Sequence, residues 1–141
     1  MIRQANKYDI DKIIDLIKDF AIQSNNPMAH DPIKWSRNHV MQLITNIIAG
    51  QGFILIDDEQ TGILIAFKNN CFWNDKSIQL QEVMLHGYNK FVIARLIKEY
   101  IKIAKELLRK KEINQATMSS YDDLKFERYG MKLIEYHWEI K

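Results

Sequence analysis

The sequence predicts an α+β fold, an α/β/α sandwich whose mixed, mostly antiparallel sheet of about six strands carries helices on both faces. Three observations lead there. Residues 52–58 and 61–67 are two apolar runs separated only by the polar turn Asp58-Glu59-Gln60, the pattern of a hairpin covered on both faces. The stretch 78–111 changes period: Ile78, Leu80 and Glu82 alternate with Gln79, Gln81 and Val83, after which Leu96, Tyr100, Ala104, Leu107 and Leu108 recur at helical spacing. The whole order then reads β-α-α-β-β-β-α-β-α-β, consecutive strands flanked by helices.

Each element has its own signals. Residues 2–5 form a short strand. Asn6 with Asp9 three residues on is a capping-box arrangement, and Ile10, Ile13, Ile14 and Ile17 give the first helix its apolar stripe to about residue 23. Ser24-Asn25-Asn26-Pro27 ends it. Asp31-Pro32 predicts a second helix start, and Trp35, Val40, Leu43, Ile44 and Ile47 carry that helix to Ala49, where Gly50 stops it. A wider loop over 69–76 separates the hairpin from the central strand at 78–85. The joint 86–90 is short, and a strand that feeds a helix through a tight loop offers backbone N–H groups to an anion. Residues 114–118 form a fifth strand, Ser119 or Ser120 caps a helix ending at Tyr129 and Gly130, and residues 131–140 form a last strand.

The chain of 141 residues is read as one domain, 1–141. Apolar residues make up 47% and charged residues 27%, which excludes a disordered chain, and a net charge of +2 gives no bulk electrostatic case for nucleic acid or membrane. The basic tract Arg109-Lys110-Lys111 reads as a solvated helix C-terminus complementing the dipole. The single cysteine, Cys71, excludes an internal disulfide and a thiolate-paired zinc site; His30, His39 and His137 lack metal-ligand spacing, so no metal is expected. The opening residues lack the apolar core of a signal peptide, no apolar run reaches membrane-spanning length, and the expected location is cytoplasmic.

Element order and lengths resemble the GNAT family of acyl-CoA-dependent N-acetyltransferases across nearly the whole chain. The opening Ile2-Arg3-Gln4-Ala5-Asn6-Lys7-Tyr8-Asp9-Ile10 resembles the family's first strand and helix start, and Phe126-Glu127-Arg128-Tyr129-Gly130-Met131 resembles its Tyr-x-Lys-x-Gly-Phe signature. The resemblance implies acetyl-CoA as co-substrate, transferring its acetyl group to a small-molecule or peptide amine that attacks directly in a ternary complex. It implies pyrophosphate binding by the loop Asn89-Lys90-Phe91-Val92-Ile93-Ala94, where the family has Arg/Gln-x-x-Gly-x-Gly/Ala. Only Ala94 fits that pattern. Val92 replaces a glycine, and Phe91 and Val92 are the side chains that would close the opening if turned toward it.

By the same resemblance, N–H groups near Met84 and Leu85 polarise the thioester, Ser119 replaces an Asn that contacts CoA, and Glu82 is the base. Glu82 has a second reading as an exposed strand residue. The family's acidic Tyr is Phe126 here, which cannot donate a proton; Tyr121 or Tyr129 stand nearby in sequence. His86, at the strand end, is a second candidate base or a surface residue. Trp35 and Trp73, with Phe72, line an acceptor pocket or pack in the core. The chain ends eleven residues after Gly130, too few for the family's terminal hairpin, so a second copy covering the exposed edge, a homodimer, is expected. The alternative to an enzyme is a catalytically inactive GNAT-shaped binding or structural protein, such as a phage component.

Overall fold

A computed structural model describes residues 1–24, 35–119, 125–134 and 140. Five strands form one sheet in the order β1 (Ile2–Gln4), β2 (Gly52–Asp57), β3 (Gly62–Cys71), β4 (Asn74–Gly87) and β5 (Gln115–Thr117). All neighbours are antiparallel except β4 and β5, which are parallel. The expected sixth strand is not present over residues 131–134, and residues 135–139 lie outside the described residues.

Helices cover both faces. On one face α1 (Ile10–Gln23) and α2 (Arg37–Asn46) bury Ile13, Ile14, Ile17 and Ile44 against Ile54, Ile56, Ile63 and Ile65. On the other, α3 (Lys90–Arg109) buries Val92, Leu96, Tyr100 and Ala104 against Phe53, Leu55, Leu64, Ala66 and Leu80. Alternate residues of β2 and β3 thus feed opposite cores, which is why both strands read as unbroken apolar runs.

The predicted capping box forms: the Asn6 side chain accepts from the Tyr8 N–H at 2.9 Å and Asp9 accepts from the Asn6 N–H at 2.8 Å. Asp9 also takes both arms of the Arg3 guanidinium at 2.8 Å, and this pairing holds its carboxyl down at about 2. The second helix differs from expectation at its start. Asp31-Pro32 falls outside the described residues, Ser36 caps α2 by accepting from the His39 N–H, and Trp35 lies just before the helix. At its end the chain leaves the helix through a wide turn, Ile47–Gln51, where Gly50 takes φ +141°, a value that excludes side-chain-bearing residues.

The expected wide loop before β4 is also different. Cys71 pairs with Asn74 across a two-residue turn, Phe72-Trp73, and residues 75–77 bulge out of register beside it. The strands therefore run into what the polar sequence of 69–76 suggests as a loop.

The β2–β3 turn is tied to the β4–α3 joint through Asp57. Its buried carboxylate accepts from the Thr61 N–H (2.7 Å), the Thr61 hydroxyl (2.6 Å) and the Gly62 N–H (2.9 Å), and the Thr61 carbonyl accepts from the Tyr88 N–H at 3.0 Å. Burial pushes the Asp57 pKa up, but the donors from Thr61 and Gly62 outweigh it and the net shift is down. This stabilisation is present above the ordinary carboxylate range and is lost as pH falls through the depressed value. Asp57→Ala leaves the buried Gly62 N–H and the half-buried Thr61 N–H without their acceptor and is expected to lower stability by about 2–4 kcal/mol. Urea denaturation at pH 7 measures it.

Candidate active site

The sheet opens between β4 and β5. These strands pair at Gln79↔Gln115, Leu80↔Ala116 and Gln81↔Thr117, and from Glu82 onward the two part. Into the fork comes the side chain of Glu82, only 3% exposed, whose carboxylate accepts from the Ser119 N–H at 3.0 Å. The exposed-strand reading of Glu82 is therefore corrected. Burial drives its pKa up to about 7, and the Ser119 contact offsets part of that rise. The resulting carboxyl changes charge near neutrality, the property that suits a residue to taking and returning protons.

Tyr100 reaches the same fork from α3. Its hydroxyl donates to the Thr117 carbonyl at 2.7 Å, tying the helix to β5 at the last paired residue. Burial and the Glu82 charge both push the phenol upward, so it stays neutral. Sequence reading placed Tyr100 in an apolar stripe; the signal it carried was a polar tip at a core position, which needs a partner.

A β-bulge decides which residues share this site. Ala66 pairs with Glu82 and Ile65 with Met84, leaving Val83 as an extra residue on β4. Cross-strand partners lie on one face. Glu82 thus shares the α3 face with Ala66, whereas Met84 and His86 join Ile65 and Ile63 on the α1–α2 face. Strict alternation would have put Glu82 and His86 together, and the bulge separates them. Leu85 returns to the α3 side, where it packs on that core. Along β4, Glu82 to Gly87 spans about 17 Å of strand edge beyond the last β5 partner.

At the far end of that edge stands the N-terminus of α3. Asn89 caps it by accepting from the Val92 N–H at 2.9 Å, and the Ile93 N–H bonds back to the Asn89 carbonyl. The N–H groups of Lys90 and Phe91 have no acceptor within the helix. No acidic residue occupies the first turn, and the Lys90 side chain is exposed. Val92 does not lie over this end. Its side chain is buried beneath the helix, so close to Gly62 that a Cβ there would fall 2.3 Å from it, and it also borders Gly87. Phe91 is 81% exposed, and Ala94 is half-buried. The helix start retains what an anion needs, two free N–H groups, a positive dipole end and a lysine.

The other sequence candidates fall elsewhere. His86 is buried, contrary to the surface reading, edge-on to the rings of Phe20 (5.8 Å) and Tyr88 (5.4 Å). Trp35 packs on the α1–α2 core with the Lys18 ammonium 5.9 Å from its ring centroid. Trp73 and Phe72 contact each other edge-to-face at the exposed hairpin tip. Ser119 is exposed; it contributes its backbone to Glu82, and no helix begins at it within the described residues. Phe126 and Tyr129 lie half-buried on a one-turn helix, Phe126–Tyr129, and Tyr121 is outside the described residues.

A parallel pair that splays beside a helix N-terminus, inside a largely antiparallel sheet, is the architecture of GNAT-type acetyltransferases, and the chain has that fold. It superposes on a predicted acetyltransferase of Clostridium acetobutylicum solved with acetyl-CoA at TM-score 0.74 and 13% identity, covering 100% of this chain and 95% of that one. An aminoglycoside acetyltransferase from an uncultured soil metagenomic sample, in complex with sisomicin, superposes at TM-score 0.66 and 14% identity, covering 100% and 96%. For a Trypanosoma brucei acetyltransferase the values are 0.68, 11%, 100% and 98%. No protein-family model and no curated protein matches the sequence.

Proposed function

We propose that the protein transfers an acetyl group from acetyl-CoA to a primary amine of a small molecule or peptide, by direct attack within a ternary complex. The observation that carries this reading is the Glu82 carboxyl, lying in the fork between β4 and β5 with a pKa of about 7. The pyrophosphate fits the α3 N-terminus at the backbone N–H groups of Lys90 and Phe91 and the Lys90 side chain, with Asn89 holding the Val92 N–H as the cap. The extended arm fits along the free edge of β4, with N–H groups near Met84 and Leu85 toward the thioester oxygen.

In the transfer, the amine nitrogen bonds to the thioester carbon as the carbon–sulfur bond breaks. Glu82 takes the proton the nitrogen loses. A thiol has an ordinary pKa near 8.5, so a carboxyl at about 7 can return that proton to the departing thiolate. Glu82 then does what Phe126 cannot. The aminoglycoside acetyltransferase solved with sisomicin among the fold neighbours supports a small-molecule amine as acceptor class.

Release of free thiol from acetyl-CoA, followed across an amine panel and across pH, tests this. The expected rate rises with pH through about 7 as Glu82 loses its proton. Absence of thiol release with every amine at millimolar concentration contradicts the proposal. One observation favours the second reading, a GNAT-shaped protein without transfer: Phe126 stands where the resemblance expects a Tyr able to donate a proton.

A further inference from the structure

On the face of the sheet opposite Glu82, the end of β4 and the last turns of α1 enclose a second polar group. His86 is 94% buried by its 6% exposure, and its Nε2 has no hydrogen-bond partner. Its ring stands edge-on between Phe20 of α1 and Tyr88. Burial lowers the His86 pKa, which keeps the imidazole neutral, and the charge acting against that shift is Asp19. Asp19 accepts a hydrogen bond from the Tyr88 hydroxyl, and the charges of both Asp19 and Asp15 bear on that phenol. Asp15 and Asp19 are one turn apart on α1 and neighbours on its surface. Among the described residues neither has a Lys or Arg within ion-pair distance, whereas Asp11, one turn earlier, is bound by Arg37 at 2.7 Å. Nearby Lys18 is turned toward the ring of Trp35.

Two carboxylates with no ion-pair partner among the described residues, a half-exposed phenol ring and a buried imidazole nitrogen without a hydrogen bond make a coherent set. Carboxylates and an aromatic face attract an ammonium, and a neutral imidazole offers one hydrogen bond to a polar group beside it. The arrangement has the wrong sign for a phosphate or a carboxylate ligand.

We infer that Asp15, Asp19, Tyr88 and His86 form an acceptor subsite for a second, non-reacting ammonium, so that the substrate class is a diamine or polyamine. The inference deepens the acetyltransferase reading and rests on it for the word acceptor. From His86 to Glu82 is four residues, about 13 Å of strand. The two side chains leave β4 on opposite faces, so a cation held at His86 places an amine at the fork only if a chain of roughly that length or more, passing over the edge of β4 that no β5 residue pairs, separates the two nitrogens. The held nitrogen stays protonated beside the aspartates, while the reacting one is neutral at Glu82.

The test compares 1,8-diaminooctane with 8-amino-1-octanol, equal in length and differing in one charge, by calorimetric titration of the protein without acetyl-CoA. The diamine is expected to bind at least tenfold more tightly. Asp19→Asn, which keeps an acceptor for Tyr88, and Asp15→Asn are each expected to weaken the diamine about tenfold while leaving the amino alcohol unchanged. Asp11→Asn should change neither. Equal binding of the two compounds, or diamine binding indifferent to Asp15→Asn and Asp19→Asn, overturns the subsite. Selective diamine binding without thiol release from acetyl-CoA leaves the subsite standing and removes the acetyltransferase reading.

Discussion

Glu82→Gln is expected to lower kcat/KM for acetyl transfer by about 10²- to 10⁴-fold, the contribution typical of a general base, and to make the protein more stable above pH 7. The two effects come from one cause. The Glu82 pKa rises from 4.5 to about 7 on folding. Between those values the folded protein holds a proton that the unfolded chain has released, so stability falls as pH rises through that window. Above it the buried charge costs about 3 kcal/mol, from a difference of 7 − 4.5 at about 1.4 kcal/mol per unit. Glutamine removes that cost and retains an oxygen for the Ser119 N–H, yet cannot accept a proton from an amine. Thermal melts at pH 5 and pH 8.5 beside the kinetics separate the roles. A variant less stable at both pH values and equally active would mean that Glu82 only ties the end of β5 to the sheet.

Gly52→Ala has the largest expected effect on the fold. A Cβ at residue 52 would lie 1.9 Å from the Ala66 carbonyl oxygen and 2.9 Å from its carbon, both backbone atoms of the paired strand. No rotamer relieves this collision, so the first rung of the β2–β3 ladder, Gly52↔Phe67, must separate. Overpacking of this kind costs about 3 kcal/mol or more, which for a chain of this size lowers the melting temperature by about 10 °C. Gly50→Ala meets no atom within 4 Å but requires φ +141°, and Gly130→Ala requires φ +80°. Melting curves for the three variants are expected to rank Gly52→Ala lowest. Equal melting temperatures for Gly52→Ala and the parent chain would contradict this packing of β2 on β3.

The elements most legible in the sequence are those with a strong local cause. The Asn6–Asp9 box, the α1 stripe, the stop at Gly50 and the period change leading into α3 all depend on residues close in sequence, and each lies where the pattern predicts. The resemblance singles out Glu82 as a candidate base, but its burial was not legible, because alternation says nothing of what covers a face. The bulge at Val83 was hidden for a different reason. Register is a property of two strands, and no residue near Val83 marks it, so alternation alone cannot tell that Glu82 and His86 leave β4 on opposite faces. Tyr100 was invisible as a site residue since its hydroxyl partner, the Thr117 carbonyl, is backbone on another element. The hairpin tip at Phe72-Trp73 read as a loop because its polar flanks outweighed its β-prone aromatics, whereas cross-strand pairing carried the ladder on to Cys71 and Asn74.

The substitution of Val92 for glycine looked damaging in the sequence because a branched side chain at a helix start can obstruct an anion. Its burial against Gly62 and Gly87 turns that side chain away, and leaves the N–H groups of Lys90 and Phe91 for the ligand. Whether the helix start and the β4–β5 fork hold acetyl-CoA is the central claim, and a thermal melt of the intact chain with and without acetyl-CoA tests it most directly. A ligand at a hundred times its dissociation constant adds about 2.7 kcal/mol, so the melting temperature is predicted to rise by several degrees. Unchanged melting at millimolar acetyl-CoA would contradict the account.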